Sequence, residues 1–137
     1  MKKTLIALCL LICATTAFSQ TAHHHVVIQL SSNDTLAWKG VIGNIKHLRE
    51  ELGNETQIEV VAHSNGIEFL TSAKTTQALE IESLSKAGVK FVGCENTMKM
   101  RKMTKDQLLT VAGTVSSGVA EVVKKEEAGW SYLKAGF

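Results

Sequence analysis

No proline occurs anywhere in the 137 residues, and aromatic side chains make up only 5% of them. The first absence excludes polyproline segments and stiff proline-rich linkers. It agrees with one compact domain, the default for this length. The second removes the stacking platforms on which single-stranded nucleic acids are read. The dinucleotide fingerprint G-x-G-x-x-G, the phosphate loop G-x-x-x-x-G-K-[ST] and the nucleophile elbow G-x-S-x-G are all missing, as is C-x-x-C. Their absence argues against dinucleotide binding, P-loop hydrolysis, α/β-hydrolase chemistry and dithiol redox exchange. The first strand-to-helix loop, SSNDTLAW, lacks the Ser/Thr/Gly-rich character of a flavin phosphate site. The sequence therefore implies no cofactor. No repeat, linker or low-complexity segment interrupts the chain.

Cysteine is scarce too, and its positions matter. The chain opens MKKTLIALCLLICATTAFSQ: two lysines, an apolar run of roughly a dozen residues, then small residues before Gln20, the pattern of a secretory signal. The expected division is a signal peptide over 1–19 and one domain over 20–137, exported to the periplasm. Nothing later approaches the roughly 20 apolar residues of a membrane-spanning helix, so no membrane association is expected after cleavage. Loss of Lys2 and Lys3 leaves 13 basic against 13 acidic residues. A neutral domain lacks the footprint of a nucleic-acid binder, and no nucleic-acid partner is expected. Cleavage also removes Cys9 and Cys13, leaving Cys94 without a partner for an internal disulfide, a thiol to be explained.

The periodicity alternates between strand and helix. HHVVIQLSS (24–32), QIEVVAHS (57–64) and VKFVGC (89–94) read as strands whose apolar centres suit burial on both faces. TVAGTVSS (110–117) and WSYLKA (130–135) read as a fourth and a fifth. Between Asp34 and Leu52 the positions Trp38, Val41, Ile42, Ile45, Leu48 and Leu52 share one helical face, and Gly53 closes it. Helices are also expected at 69–72, 76–87 and 118–128. Thr104 and Gln107 have capping-box spacing for a short one that turns Leu108 and Leu109 inward. This alternation predicts an α/β fold, a mainly parallel sheet between two helical layers.

Ligands of open parallel sheets bind beyond the carboxyl ends of the strands. Those ends carry Ser31–Asn33, His63–Gly66, Cys94–Thr97 and Ser116–Gly118, all small or polar. Cys94 follows an apolar strand, and ENTMKMRK after it has the makings of a helical turn. Helix N-terminal amides and a cation from Lys99, Arg101 or Lys102 would favour a thiolate. Adjacent Glu95 opposes it, and free cysteine is commonly a buried small hydrophobe. Both readings stand on these residues alone. His63 is either a proton donor and acceptor near the thiol or a strand-end cap. The run His23, His24, His25 cannot converge on one ion along a strand, so no metal site is expected. Asn44 and His47 share a helix face. Trp130 and Tyr132 are expected to pack on the last strand or at a subunit contact.

VVIQLSSND, WKGVIGNIKHLREELG, IEVVAHSNGIEFL, GVKFVGCENTMKM and TVSSGVAEVVKKEEAGWSYLKAG, in order from about Val26 to Gly136, together resemble the DsrE family and its exported single-domain members. The resemblance implies a flavodoxin-like three-layer α/β/α sandwich with a five-stranded sheet and no flavin. It implies assembly into a homo-oligomer, a trimer or hexamer, and a cysteine that carries sulfur as a persulfide. Cys94 in GCENTM corresponds to the family cysteine. Asn44 and the loop from His63 through Asn65 to Gly66 match segments at the same end of the sheet, where Asn96 and Thr97 also fall. Two departures stand out. Ser64 follows His63 where the family usually has glycine, and Glu126 and Glu127 occupy a stretch that often holds glutamine, changes expected to alter the pocket's shape or charge. The function expected is that of a periplasmic sulfur carrier or sulfurtransferase accessory, meeting a sulfur donor or acceptor thiol through Cys94. The alternatives are a non-enzymatic oligomeric binding or scaffold protein with an incidental thiol, and a redox sensor forming an intersubunit disulfide.

Overall fold

The structure, a computed structural model, describes residues 23–136. The expected signal peptide, with Cys9 and Cys13, lies outside those residues. Among the described residues no helix is long and apolar enough to cross a membrane.

The order is β1 (His25–Leu30), α1 (Thr35–Leu52), β2 (Gln57–Ala62), a 3-10 helix (Ser64–Leu70), α2 (Ala78–Lys86), β3 (Lys90–Cys94), α3 (Glu95–Met100), a 3-10 turn (Lys105–Gln107), β4 (Gly113–Val115), α4 (Gly118–Glu127) and β5 (Ser131–Ala135). Local chemistry accounts for the boundaries. Asp34 caps α1 by accepting from the Leu36 N–H at 2.8 Å, and Gly53 ends it at φ +101°, where a side chain would be strained. Trp38, Val41, Ile42 and Ile45 bury the inner face of α1, each worth about 1.5–3 kcal/mol on leaving water. Thr104 and Gln107 do form a capping box, and Leu108 and Leu109 behind it are buried. α3 begins at Glu95, on the ENTMKMRK segment where a helical turn was expected, while the helix expected at 104 is a single 3-10 turn. The short helix expected at 69–72 begins earlier, at Ser64.

All five strands are parallel, in the order β4-β3-β2-β1-β5. From β1 to β4 the chain steps one way across the sheet, so right-handed crossovers lay α1, α2 and α3 on one face. The return from β4 to β5 runs the other way and puts α4 on the opposite face. The two faces are unequal as a result. Val26, Ile28, Leu30, Val60 and Phe91 join Trp38, Phe69 and Ile81 in the main core, whereas Val27, Val61 and Val122 make a small one under α4 alone.

Candidate active site at the carboxyl rim

β2 and β3 are neighbours, so their carboxyl ends bring His63 and Cys94 together. Cys94 pairs in register with Val115, and Val92 with Val61 one step back, so Cys94 projects toward the α4 face. There it meets the start of α4. A Cβ on Gly118 would lie 3.0 Å from His63 Cβ, 3.2 Å from Cys94 Cβ and 3.3 Å from Val61 Cγ1. Only a residue without a side chain lets the first turn of α4 come this near.

A nucleophile at this position needs an open sulfur, yet the thiol is almost covered: Cys94 is 5% exposed. Burial pushes its pKa up. The Thr97 hydroxyl and the backbone N–H groups of Gly118, Thr97 and Asn96 outweigh that and hold it below the ordinary thiol value. None of the N–H contacts has full capping geometry. They act as dipoles converging on the anion from the first turns of two helices. The expected cations do not take part. Arg101 donates to Glu68 at 2.9 Å and also bonds Asn65 Oδ1, while Lys74 reaches Glu68 at 3.0 Å. Glu95, feared as a neighbouring anion, accepts from Thr114 Oγ1 at 2.8 Å on the other side of the sheet.

His63 is half-buried, and desolvation holds its pKa below the usual value, so the ring is neutral at neutral pH. Its Nε2 meets Gln29 Nε2 at 2.8 Å and its Nδ1 meets Ser64 Oγ at 3.0 Å. Ser64 sits at φ +50°, the left-handed region, which glycine would adopt freely and which costs serine about 1 kcal/mol. The Ser64 N–H donates to Thr97 Oγ1 at 3.0 Å, tying the His63 loop to α3. Gly66 is buried against the Leu30 carbonyl. Asn65 and Asn96 are exposed at the rim, and Thr97 is buried.

Two expectations need correction. Asn44 does not belong to this rim: it lines a groove with His47, Leu48, Leu52 and Leu133 over the β5 edge. α1 lies on the face opposite Cys94, and β5 is three strands from β3, about 14 Å at normal spacing. Glu126 and Glu127 are exposed at the far end of α4, about 13 Å along the axis from Gly118, so they leave the charge around Cys94 unchanged. Gln29 was missed. Its signal was a polar side chain inside the apolar run VVIQL.

Thr97→Val tests the cradle. Burial then acts with one opposing donor fewer, so Cys94 titrates at higher pH and its iodoacetamide labelling at pH 7 slows about three-fold. The Ser64 N–H loses its acceptor, at a cost of about 1 kcal/mol in urea unfolding. Linkage has a definite sign: the depressed native pKa adds stability that is complete above the unfolded thiol pKa and lost as pH falls through the native one. The stability of the wild type relative to Cys94→Ser should therefore grow as pH rises across that interval.

A family model described as the DsrE/DsrF-like family matches residues 13–135. In three dimensions the chain is similar to MTH1491 from Methanobacterium thermoautotrophicum, a protein of unknown function. The two share 32% identity with a TM-score of 0.77, covering 81% of this chain and 98% of that one. It is also similar to ychN from E. coli, at 13% identity and TM-score 0.65 over 82% of this chain and 99% of that one. A third likeness is to BT1422 from Bacteroides thetaiotaomicron, at 12% and 0.66 over 85% and 98%. The last two likenesses are of fold alone. No curated protein matches the chain.

Proposed function

We propose, from the premise that the chain belongs to the DsrE/DsrF-like family, that it is a sulfur carrier in which Cys94 holds sulfane sulfur as a persulfide. Family membership supports a role connected with sulfur relay. The single observation that carries the finer reading is the place of Cys94, the N-cap residue of α3 and packed against Gly118 at the start of α4, with its pKa held below the ordinary thiol value. A thiolate is the nucleophilic form of cysteine, and this setting favours it.

In the proposed step the Cys94 thiolate attacks the outer sulfur of a persulfide or polysulfide donor. A new S–S bond forms at Cys94, the donor's S–S bond breaks, and its electron pair leaves with the donor thiolate. No net oxidation occurs. An acceptor thiolate then attacks the outer sulfur and Cys94 leaves as the thiolate it began as. Neutral His63 would position the donor rather than protonate it, since Gln29 and Ser64 engage both of its ring nitrogens, and Asn65 and Asn96 are exposed at the same rim. Periplasmic location rests on the leader sequence. Assembly into a homo-oligomer is supported by Val119 and Val123, which leave an apolar stripe on the outside of α4, 56% and 51% exposed.

Incubation with polysulfide followed by intact mass is the test: the wild type gains about 32 Da per sulfur atom and Cys94→Ala gains none. Absence of gain in the wild type, or equal gain in the variant, refutes the carrier. The near burial of Cys94 favours a second reading, a scaffold with an incidental thiol. Under it, maleimide labels Cys94 slowly in the native protein and at the ordinary rate once denatured; under the carrier reading labelling is fast below neutral pH.

A further inference from the structure

We infer that Gln29 and Tyr132 are positioning residues for Cys94: they fix the tautomer of His63, whose remaining proton orders the Ser64 loop and so aims the Thr97 hydroxyl at the sulfur. The inference rests on the carrier reading of Cys94 and extends it to two strands that contribute nothing to the thiol's own surroundings.

The sheet register produces the arrangement. Gln29 pairs with Val61 on one side and with Lys134 on the other. His63 lies two residues beyond Val61 and Tyr132 two before Lys134, so both are diagonal neighbours within reach of a long side chain. The Tyr132 hydroxyl donates to Gln29 Oε1. That bond sets the amide the other way round toward β2, and Gln29 Nε2 donates to His63 Nε2 at 2.8 Å. An accepting Nε2 in a neutral ring requires the proton on Nδ1. The Nδ1–H donates to Ser64 Oγ at 3.0 Å, the Ser64 N–H donates to Thr97 Oγ1 at 3.0 Å, and the Thr97 proton is left for Cys94. Every link has one donor and one acceptor, and all run in one direction from β5 to α3. Turning the Gln29 amide round against this tautomer would set two acceptors, Oε1 and the His63 Nε2, face to face.

Charged groups around this path are otherwise engaged or set aside. Arg101 is held by Glu68 and Asn65, and Glu95 by Thr114. Lys134, beside Gln29 on the edge strand, is exposed. The relay also explains a polar residue in the middle strands of a sheet.

The experiment reads two quantities on the full-length wild type, Tyr132→Phe, Gln29→Leu and Gln29→Glu. One is the ¹⁵N signature of His63; the other is the pH profile of iodoacetamide alkylation, followed on the Cys94 peptide by mass spectrometry. The wild type should show His63 protonated at Nδ1. Gln29→Glu, an acceptor on both sides, should move the proton to Nε2 or charge the ring. Gln29→Leu should slow alkylation at pH 7 about three-fold, with Tyr132→Phe between it and the wild type. A His63 proton on Nε2 in the wild type overturns the inference, as does one alkylation profile shared by all four proteins. Tyr132→Phe removes only a partly exposed hydroxyl, which keeps the comparison readable if a Gln29 variant fails to fold. The two proposals fail separately: a wild type that takes up no sulfur refutes the carrier, whereas sulfur uptake with unmoved profiles refutes only the relay.

Discussion

Gly66→Ala is expected to destabilise the protein by about 3 kcal/mol, toward the upper end for overpacking, and to lower its melting temperature by about 10 °C. A Cβ at this position would stand 2.2 Å from the Leu30 carbonyl oxygen and 2.7 Å from its carbon. Neither atom can yield cheaply. Leu30 is fully buried at the end of the interior strand β1, and its carbonyl already accepts the His63 N–H at 3.0 Å. Gly66 is itself pinned, its N–H donating to the His63 carbonyl at 2.8 Å. The added methyl must therefore push the 3-10 helix off the rim, and the His63 loop moves with it. The same variant should lose most of the fast Cys94 labelling even where it remains folded. A melting temperature within about 2 °C of the wild type would show that the loop relaxes freely and that the rim is less tightly built than described.

The second large effect lies under α4, away from the thiol. Glu59, in the middle of β2, is 3% exposed and is held by Lys125 Nζ at 2.7 Å, while its Oε1 has no partner among the described residues. Lys125 lies over the Trp130 ring at 4.1 Å from its centroid and within 3.7 Å of Glu121. Lys125→Met keeps the length of the stem and removes the charge, stranding a buried carboxylate. The expected cost is about 3–5 kcal/mol in urea unfolding. Adding Glu59→Leu should restore most of it, because the desolvation penalty disappears with the charge. Single effects that merely add in the double variant would mean that the pair is not coupled and that Glu59 is solvated through some other route.

Much of this architecture was legible from local pattern. The apolar stripe of α1, its Asp34 cap and Gly53 stop, the Thr104–Gln107 box and the buried runs of β1 to β3 all follow from interactions within a turn or two of the chain. The rim residues His63, Cys94 and Thr97 were found because strand ends can be read without knowing which strands are neighbours. Asn44 was misassigned for the complementary reason. A helix position says nothing by itself about which face of the sheet the helix covers. Gln29 and Tyr132, which bond each other across 103 residues, carry no local signature of their partnership.

Composition and periodicity alone determined that residues 25–135 alternate strand and helix, that one cysteine follows the third strand, and that charge and motifs leave nucleotide and nucleic-acid chemistry without support. Only the tertiary structure decided that Cys94 turns toward α4, that amides rather than lysines surround its sulfur, and that His63 reaches back to Gln29. The physical reason is range. Caps and hydrophobic periods are set by neighbours in the chain, whereas the direction of a strand side chain depends on register, and the face a helix covers depends on the handedness of its crossover.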